Sequence, residues 1–220
     1  MHGTGCAARA RHATIPDDAR VVVFDCDGVL IDSWDSIISI YNCILADLGF
    51  APLKQEIQRT CFIGSWRDGF ALAMDGANVE RAMERLRSFD YSRVSGLIHV
   101  MPGIDDLLAR LAASGRKLAV NTNGASEQRQ ILARVDLLKH FDIVVTADDV
   151  THPKPNPSGA LSILAAFEAE PDDALFIGDS SNDQKAADNA GIPFWAYNNP
   201  RLCADEHITD FALVEVPPLV

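Results

Sequence analysis

Residues 21–24 (VVVF) are apolar without a break and run into Asp25–Cys26–Asp27–Gly28, a pattern that predicts a buried strand ending in an acidic turn. The period then changes. From Ser33 to about Leu97 the apolar positions follow helical spacing. They begin with Ile37, Ile38, Tyr41, Ile44, Leu45 and Leu48, stop at Gly49, and continue over 53–60, 67–74 and 79–95. Beyond Met101 helices and short apolar strands alternate: helices over 104–113, 126–135, 157–167 and 182–189, strands over 118–120, 143–145, 174–177 and around 194–196. Such alternation predicts an α/β fold, a Rossmann-like parallel sheet covered by helices on both faces. The helix-only block is then an insertion after the first strand. The expected organisation is a core of residues 20–32 and 98–220, an all-α domain over 33–97, and a mobile N-terminal segment over 1–19, which is small, polar and aperiodic.

In a parallel α/β sheet the ligand site lies beyond the carboxyl ends of the strands, so the polar residues that follow each apolar run are the ones to compare. Asp25 and Asp27 follow the first strand, Thr122, Asn123 and Gly124 the second, and Gly178, Asp179, Ser180 and Asp183 the fourth. Lys154, between Pro153 and Pro155, lies in the loop after the third. Cys26, between the two acids, should by alternation point away from them into the core. Asp25, Asp27 and Asp179 together make an oxygen-rich pocket that cannot stay fully ionised without a counter-cation, and hard oxygen ligands select Mg²⁺. With the metal and Lys154 neutralising phosphoryl oxygens, one aspartate can attack phosphorus and the other can move protons. Thr122 and backbone N–H groups near Cys26 and Asn123 would hold the remaining oxygens.

Composition narrows the partners. The 19 Lys and Arg against 31 Asp and Glu give a net charge of −12 with the basic residues scattered, which argues against nucleic acid. No apolar run is long enough to span a membrane, and the first nineteen residues lack the apolar stretch of a signal peptide. The five cysteines show no CxxC spacing, so a reducing, cytoplasmic location is expected.

The segments VVVFDCDGVLIDS, VNTNG, the lysine of HPKPNP, and FIGDSSND resemble, in order, the four motifs of the haloacid dehalogenase-like phosphohydrolase superfamily, over about residues 20 to 200. The resemblance implies Asp25 as nucleophile, Asp27 as general acid and base, and Thr122 and Lys154 as phosphate holders. It also implies Mg²⁺ bound by Asp25, the main-chain carbonyl of Asp27 and Asp179, with Asp183 in support. The inserted block looks like the α-helical cap of the phosphoglycolate phosphatase and β-phosphoglucomutase branch. The dehalogenase branch lacks the second aspartate of the first motif, which is present here as Asp27, so dehalogenation is disfavoured.

The expected activity is therefore Mg²⁺-dependent hydrolysis of a small phosphorylated metabolite, phosphoglycolate-like or a sugar phosphate, by a monomer or homodimer. The runner-up is a phosphomutase; that branch carries a histidine where this chain has Ile37, which favours hydrolysis. A non-enzymatic phospho-acceptor domain is the remote alternative. In the cap, Arg67 stands in Gly64–Ser65–Trp66–Arg67, similar to a Gly-x-x-Arg turn that faces the site in sugar-phosphate-handling caps, or else it is an exposed salt-bridging residue. Ser33 reads as a helix N-cap or a substrate contact. Trp66 and Trp34 read as cap packing or a substrate wall.

Overall fold

A computed structural model describes residues 12–219. Its centre is a six-stranded parallel sheet. The chain enters through β1 (Ala13–Thr14) and forms β2 (Val21–Phe24), all of whose residues are buried. It leaves the core through β3 (Ile31–Asp32) and makes four helices, α1 (Trp34–Asp47), α2 (Gln55–Ile63), α3 (Trp66–Ala73) and α4 (Gly76–Arg87). It returns through β4 (His99–Val100), which pairs antiparallel with β3. Alternation follows: α5 (Ile104–Ala113), β5 (Lys117–Asn121), α6 (Gln128–Arg134), β6 (Ile143–Val145), α7 (Ser158–Ala166), β7 (Ala174–Gly178), α8 (Ser181–Ala190) and β8 (Phe194–Tyr197). Two short strands, β9 (Glu206–Ile208) and β10 (Val214–Glu215), end the series.

The sheet order is β6-β5-β2-β7-β8-β9. The chain builds outward on one side of β2 and then on the other, so a crevice opens at the carboxyl end of β2, between β5 and β7. Period-two alternation divides the core. Val22 and Phe24, with Val120 and Ile177, pack on Leu107 and Leu111 of α5 and Leu132 of α6, whereas Val23, Ala119 and Phe176 pack on Ile163 of α7 and Ala187 of α8. The helical block has a third cluster of its own, centred on Tyr41, Ile44, Leu45, Phe70 and Leu86. No helix among the described residues is long and apolar enough to cross a membrane.

Two expectations are corrected. The helix read over 79–95 ends at Arg87, because Asp90 accepts a hydrogen bond from the Ser92 N–H at 3.0 Å and caps a separate single turn. The lead-in without structure does not extend to residue 19: β1 pairs in parallel with β10, and the fully buried Ile15 donates its N–H to the Glu215 carbonyl at 3.0 Å. Its partner lies some two hundred residues away, and a two-residue strand leaves no periodic signal. Residues 1–11 of that segment lie outside the described residues.

Candidate active site

The ladder of β2 continues one residue past the strand, since the Asp25 N–H donates to the Ile177 carbonyl at 2.9 Å. This fixes Asp25 at the mouth of the crevice. The chain then turns sharply, with the N–H groups of Leu30 and Ile31 donating to the Cys26 carbonyl and Gly28 at φ +93°. A side chain at Gly28 would be strained by that φ and would also meet the Asp179 carboxylate at 2.9 Å, so glycine is required twice over. As alternation predicts, Cys26 is buried in the core.

Lys154 organises the acids. Its buried ammonium donates to Asp25 Oδ1 at 2.7 Å, to the Asn121 carbonyl at 2.7 Å and to Asp183 Oδ1 at 2.5 Å, which engages all three of its protons. Burial works against its charge, but Asp183 and Asp25 outweigh burial and raise its pKa. The other oxygen of Asp183 accepts from the Ser180 N–H and hydroxyl at 2.9 and 2.6 Å, the capping box at the start of α8. Gly178 is needed there because a Cβ would come within 2.4 Å of the Asp183 Cβ.

Asp25, Asp179 and Asp183 each offer an oxygen within 4.8 Å of the other two. Burial, then the charge of Asp183, pushes the Asp25 carboxyl well above its usual range. Burial and Asp183 likewise push Asp179 up to about 6, although Arg59 donates to its Oδ2 at 3.0 Å. Asp179 Oδ1 is buried with no hydrogen-bond partner. Three buried carboxylates, two of them sharing Lys154 and the third, Asp179, with an orphaned oxygen, fit a hard divalent cation.

The Asp27 carboxylate stands apart from that triad. Ser33 Oγ donates to its Oδ1 at 2.5 Å and Gln128 Nε2 to its Oδ2 at 3.1 Å, while burial raises its pKa against both. Ser33 precedes α1 but makes no side-chain cap; its hydroxyl serves Asp27 instead. Thr122 and Asn123 are buried beside the acids, and Thr122 Oγ1 accepts from the Gly124 N–H at 3.0 Å.

The helical block lies over this cluster, and the two together line a pocket. The Ile63 carbonyl, at the end of α2, accepts from Asn182 Nδ2 at 2.9 Å and Asn123 Nδ2 at 3.3 Å. Trp66 lines the pocket and packs on Tyr41, with ring centroids 4.6 Å apart; Trp34 packs on Phe62 at 5.0 Å. Arg67 does not join the site. Its half-exposed guanidinium pairs with Glu80 on the neighbouring helix, because α3 begins at Trp66 and only the tryptophan faces inward. Gln128, Glu127 and Tyr91 line the pocket without having been singled out from sequence. For the first two a signal existed: both open a helix directly after the second strand, at the edge where ligands bind.

A family model described as haloacid dehalogenase-like hydrolase matches residues 22–197. Phosphoglycolate phosphatase 1 of Pseudomonas aeruginosa is 32% identical over 201 residues, 85% of this chain and 74% of that protein. Pyrophosphatase PpaX of Bacillus thuringiensis is 31% identical over 174 residues, 78% of this chain and 80% of the relative. The crystal structure of a HAD-superfamily hydrolase, subfamily IA, variant 1, from Geobacter sulfurreducens superposes with a TM-score of 0.75 at 31% identity, over 87% of this chain and 95% of that one. The chain belongs to the haloacid dehalogenase-like hydrolases. It lies in their phosphoglycolate phosphatase-like branch and is a phosphatase.

Proposed function

We propose that this phosphatase hydrolyses a small phosphate monoester with the help of Mg²⁺, through a phosphorylated Asp25. The observation that carries the reading is the division of labour between the two aspartates: Asp25 is held by Lys154 within the acid triad, and Asp27 is held outside it by Ser33 and Gln128. The oxygen of Asp25 not bonded to Lys154 attacks phosphorus, and the bond from phosphorus to the alcohol oxygen breaks. Asp27, whose buried carboxyl keeps its proton to higher pH than usual, gives that proton to the leaving oxygen. It then takes one from a water that attacks the phospho-aspartate, which releases inorganic phosphate and restores Asp25. Lys154, Thr122 and the backbone around Asn123 would hold the phosphoryl oxygens.

Asp25, Asp179 and the main-chain carbonyl of Asp27 would hold Mg²⁺, with Asp183 behind them. When bound, the ion supplies positive charge against the phosphoryl oxygens. Ile37 on the pocket wall offers no base to activate a sugar hydroxyl, which supports hydrolysis over phosphoryl transfer to a second substrate. The test is phosphate release from p-nitrophenyl phosphate with and without EDTA, paired with trapping of beryllofluoride on Asp25. Full activity in excess EDTA, or an Asp25→Asn variant that still turns over, would refute the reading.

A further inference from the structure

The three acids of the cluster draw their positive charge from two different parts of the chain. Asp25 and Asp183 share the ammonium of Lys154, which belongs to the core. Asp179 takes its cation from the helical block, where Arg59 of α2 donates through Nη2 to its Oδ2 at 3.0 Å. The pair is uneven in burial, since the Asp179 side chain keeps 11% of its exposure and that of Arg59 keeps 52%. On the core side Asp179 is fixed: its carbonyl accepts from Asn199 Nδ2 at 2.7 Å, and its carboxylate lies close against Gly28. The carboxylate is the anchored partner and the guanidinium the movable one.

A second seat for the guanidinium is at hand. Its Cζ lies 5.5 Å from the centroid of the Phe62 ring, and outside the pair opens a recess lined by Arg59, Asn198, Asn199 and Arg201. Arg59 can therefore leave Asp179 without being stranded in an apolar interior. The end of α2 has a separate hold on the core, because the Ile63 carbonyl accepts neutral bonds from Asn182 and Asn123. A divalent ion at the acid cluster would be a second claimant on Asp179. Two cations on one part-buried carboxylate repel each other where solvent screens them incompletely, and each weakens the other's hold.

Resting on the Mg²⁺ reading, we propose that Arg59 is a counter-ion which the metal displaces from Asp179, so that metal binding and the charged tie of α2 to the core oppose each other. The coupling is reciprocal: the factor by which Arg59 weakens metal binding is the factor by which the metal weakens the tie. A residue of the helical block thus sets the metal affinity of a site in the core, and loading that site frees one edge of the block.

The test is calorimetric titration of Mg²⁺ into metal-stripped full-length protein at fixed ionic strength, for the wild type, Arg59→Gln, Arg59→Met and Arg201→Gln. Glutamine removes the charge and keeps a donor, whereas methionine removes both; each should bind Mg²⁺ about fivefold or more tightly than the wild type. Arg201→Gln removes a positive charge from the same recess, where Arg201 pairs with no acid among the described residues, and should stay within about twofold. Hydrogen exchange reads the other side of the linkage: Mg²⁺ should quicken exchange of the α2 amides in the wild type and leave it unmoved in Arg59→Gln. Circular dichroism checks that each variant is folded. Weaker binding in the methionine variant with glutamine unchanged would make Arg59 an orienting donor and overturn the proposal. Affinities that neither Arg59 variant moves, an equal gain in Arg201→Gln, or wild-type α2 amides that Mg²⁺ slows or leaves unmoved would overturn it as well. No binding to any of the four proteins, by heat or by a shift in Tm, would instead refute the Mg²⁺ reading on which the proposal rests.

Discussion

The hydroxyl of Ser33 donates to Asp27 Oδ1 at 2.5 Å, so the residue at the entrance to the helical block bears directly on an acid in the core. This bond lowers the Asp27 pKa against the larger effect of burial. In Ser33→Ala that opposition is left to Gln128 and the charge of Lys154. Asp27 should hold its proton to still higher pH, and the alkaline limb of the kcat profile should move upward. The loss in kcat at neutral pH should be about five- to thirtyfold with little change in KM, the scale of one hydrogen bond to an ionised group. A profile with unmoved limbs would show that Ser33 only packs.

Asp25→Asn should abolish turnover, by more than about 100-fold, without unfolding the protein. Burial and the charge of Asp183 already disfavour the Asp25 carboxylate, so a neutral amide of equal size should leave Tm in the absence of metal unchanged or raised. Phosphate release and a thermal melt on the same preparation check both halves.

The acid cluster predicts an unusual pH response in protein stripped of metal. Asp179 titrates near 3.8 in an unfolded chain and at about 6 when folded. Between those values the folded state binds a proton that the unfolded state has released, so this group stabilises at low pH and the contribution is lost as pH rises through about 6. The shift corresponds to about 2–3 kcal/mol at most. Mg²⁺ should restore what is lost, and the rise in Tm on adding it should be several degrees larger at pH 7.5 than at pH 5. Equal shifts at both pH values would contradict a cluster that exchanges protons for metal.

Arg67→Ala should change kcat/KM by less than about twofold for every ester, because the guanidinium is half exposed and faces Glu80 rather than the pocket. A large effect confined to one substrate would return Arg67 to the site.

Much of this architecture was legible in the chain because it is periodic. The run VVVF predicts β2 to the residue, and the helix over 104–113 matches α5, since burial on both faces or on one stripe imprints a period. The core acids, Thr122 and Lys154 were legible for another reason: each follows an apolar run at the edge where a parallel sheet binds its ligand. The cap contacts were not. A Gly-x-x-Arg turn fixes a local backbone, but whether Trp66 or Arg67 faces inward depends on where α3 begins, and Ser65, which accepts the Asp68 N–H as N-cap, settles that start. Glu127 and Gln128 escaped notice because a polar pair at the head of a helix reads as a solvated turn until Asp27, to which Gln128 donates, is placed beside it.

The antiparallel pairing of Ile31 with Val100 and of Asp32 with His99 has an architectural consequence. Topologically the whole helical block is the loop of a β-hairpin, since its entry and exit strands stand side by side on the core. Such a module can be shortened, lengthened or replaced without moving a single strand of the sheet. Selection acting on its length and lining would change what the enzyme admits while Asp25, Lys154 and Asp179 stay where they are. Recombination at the ribbon therefore offers a direct laboratory route to new selectivity: blocks exchanged between chains at Asp32 and His99 would meet the same pair of anchoring strands.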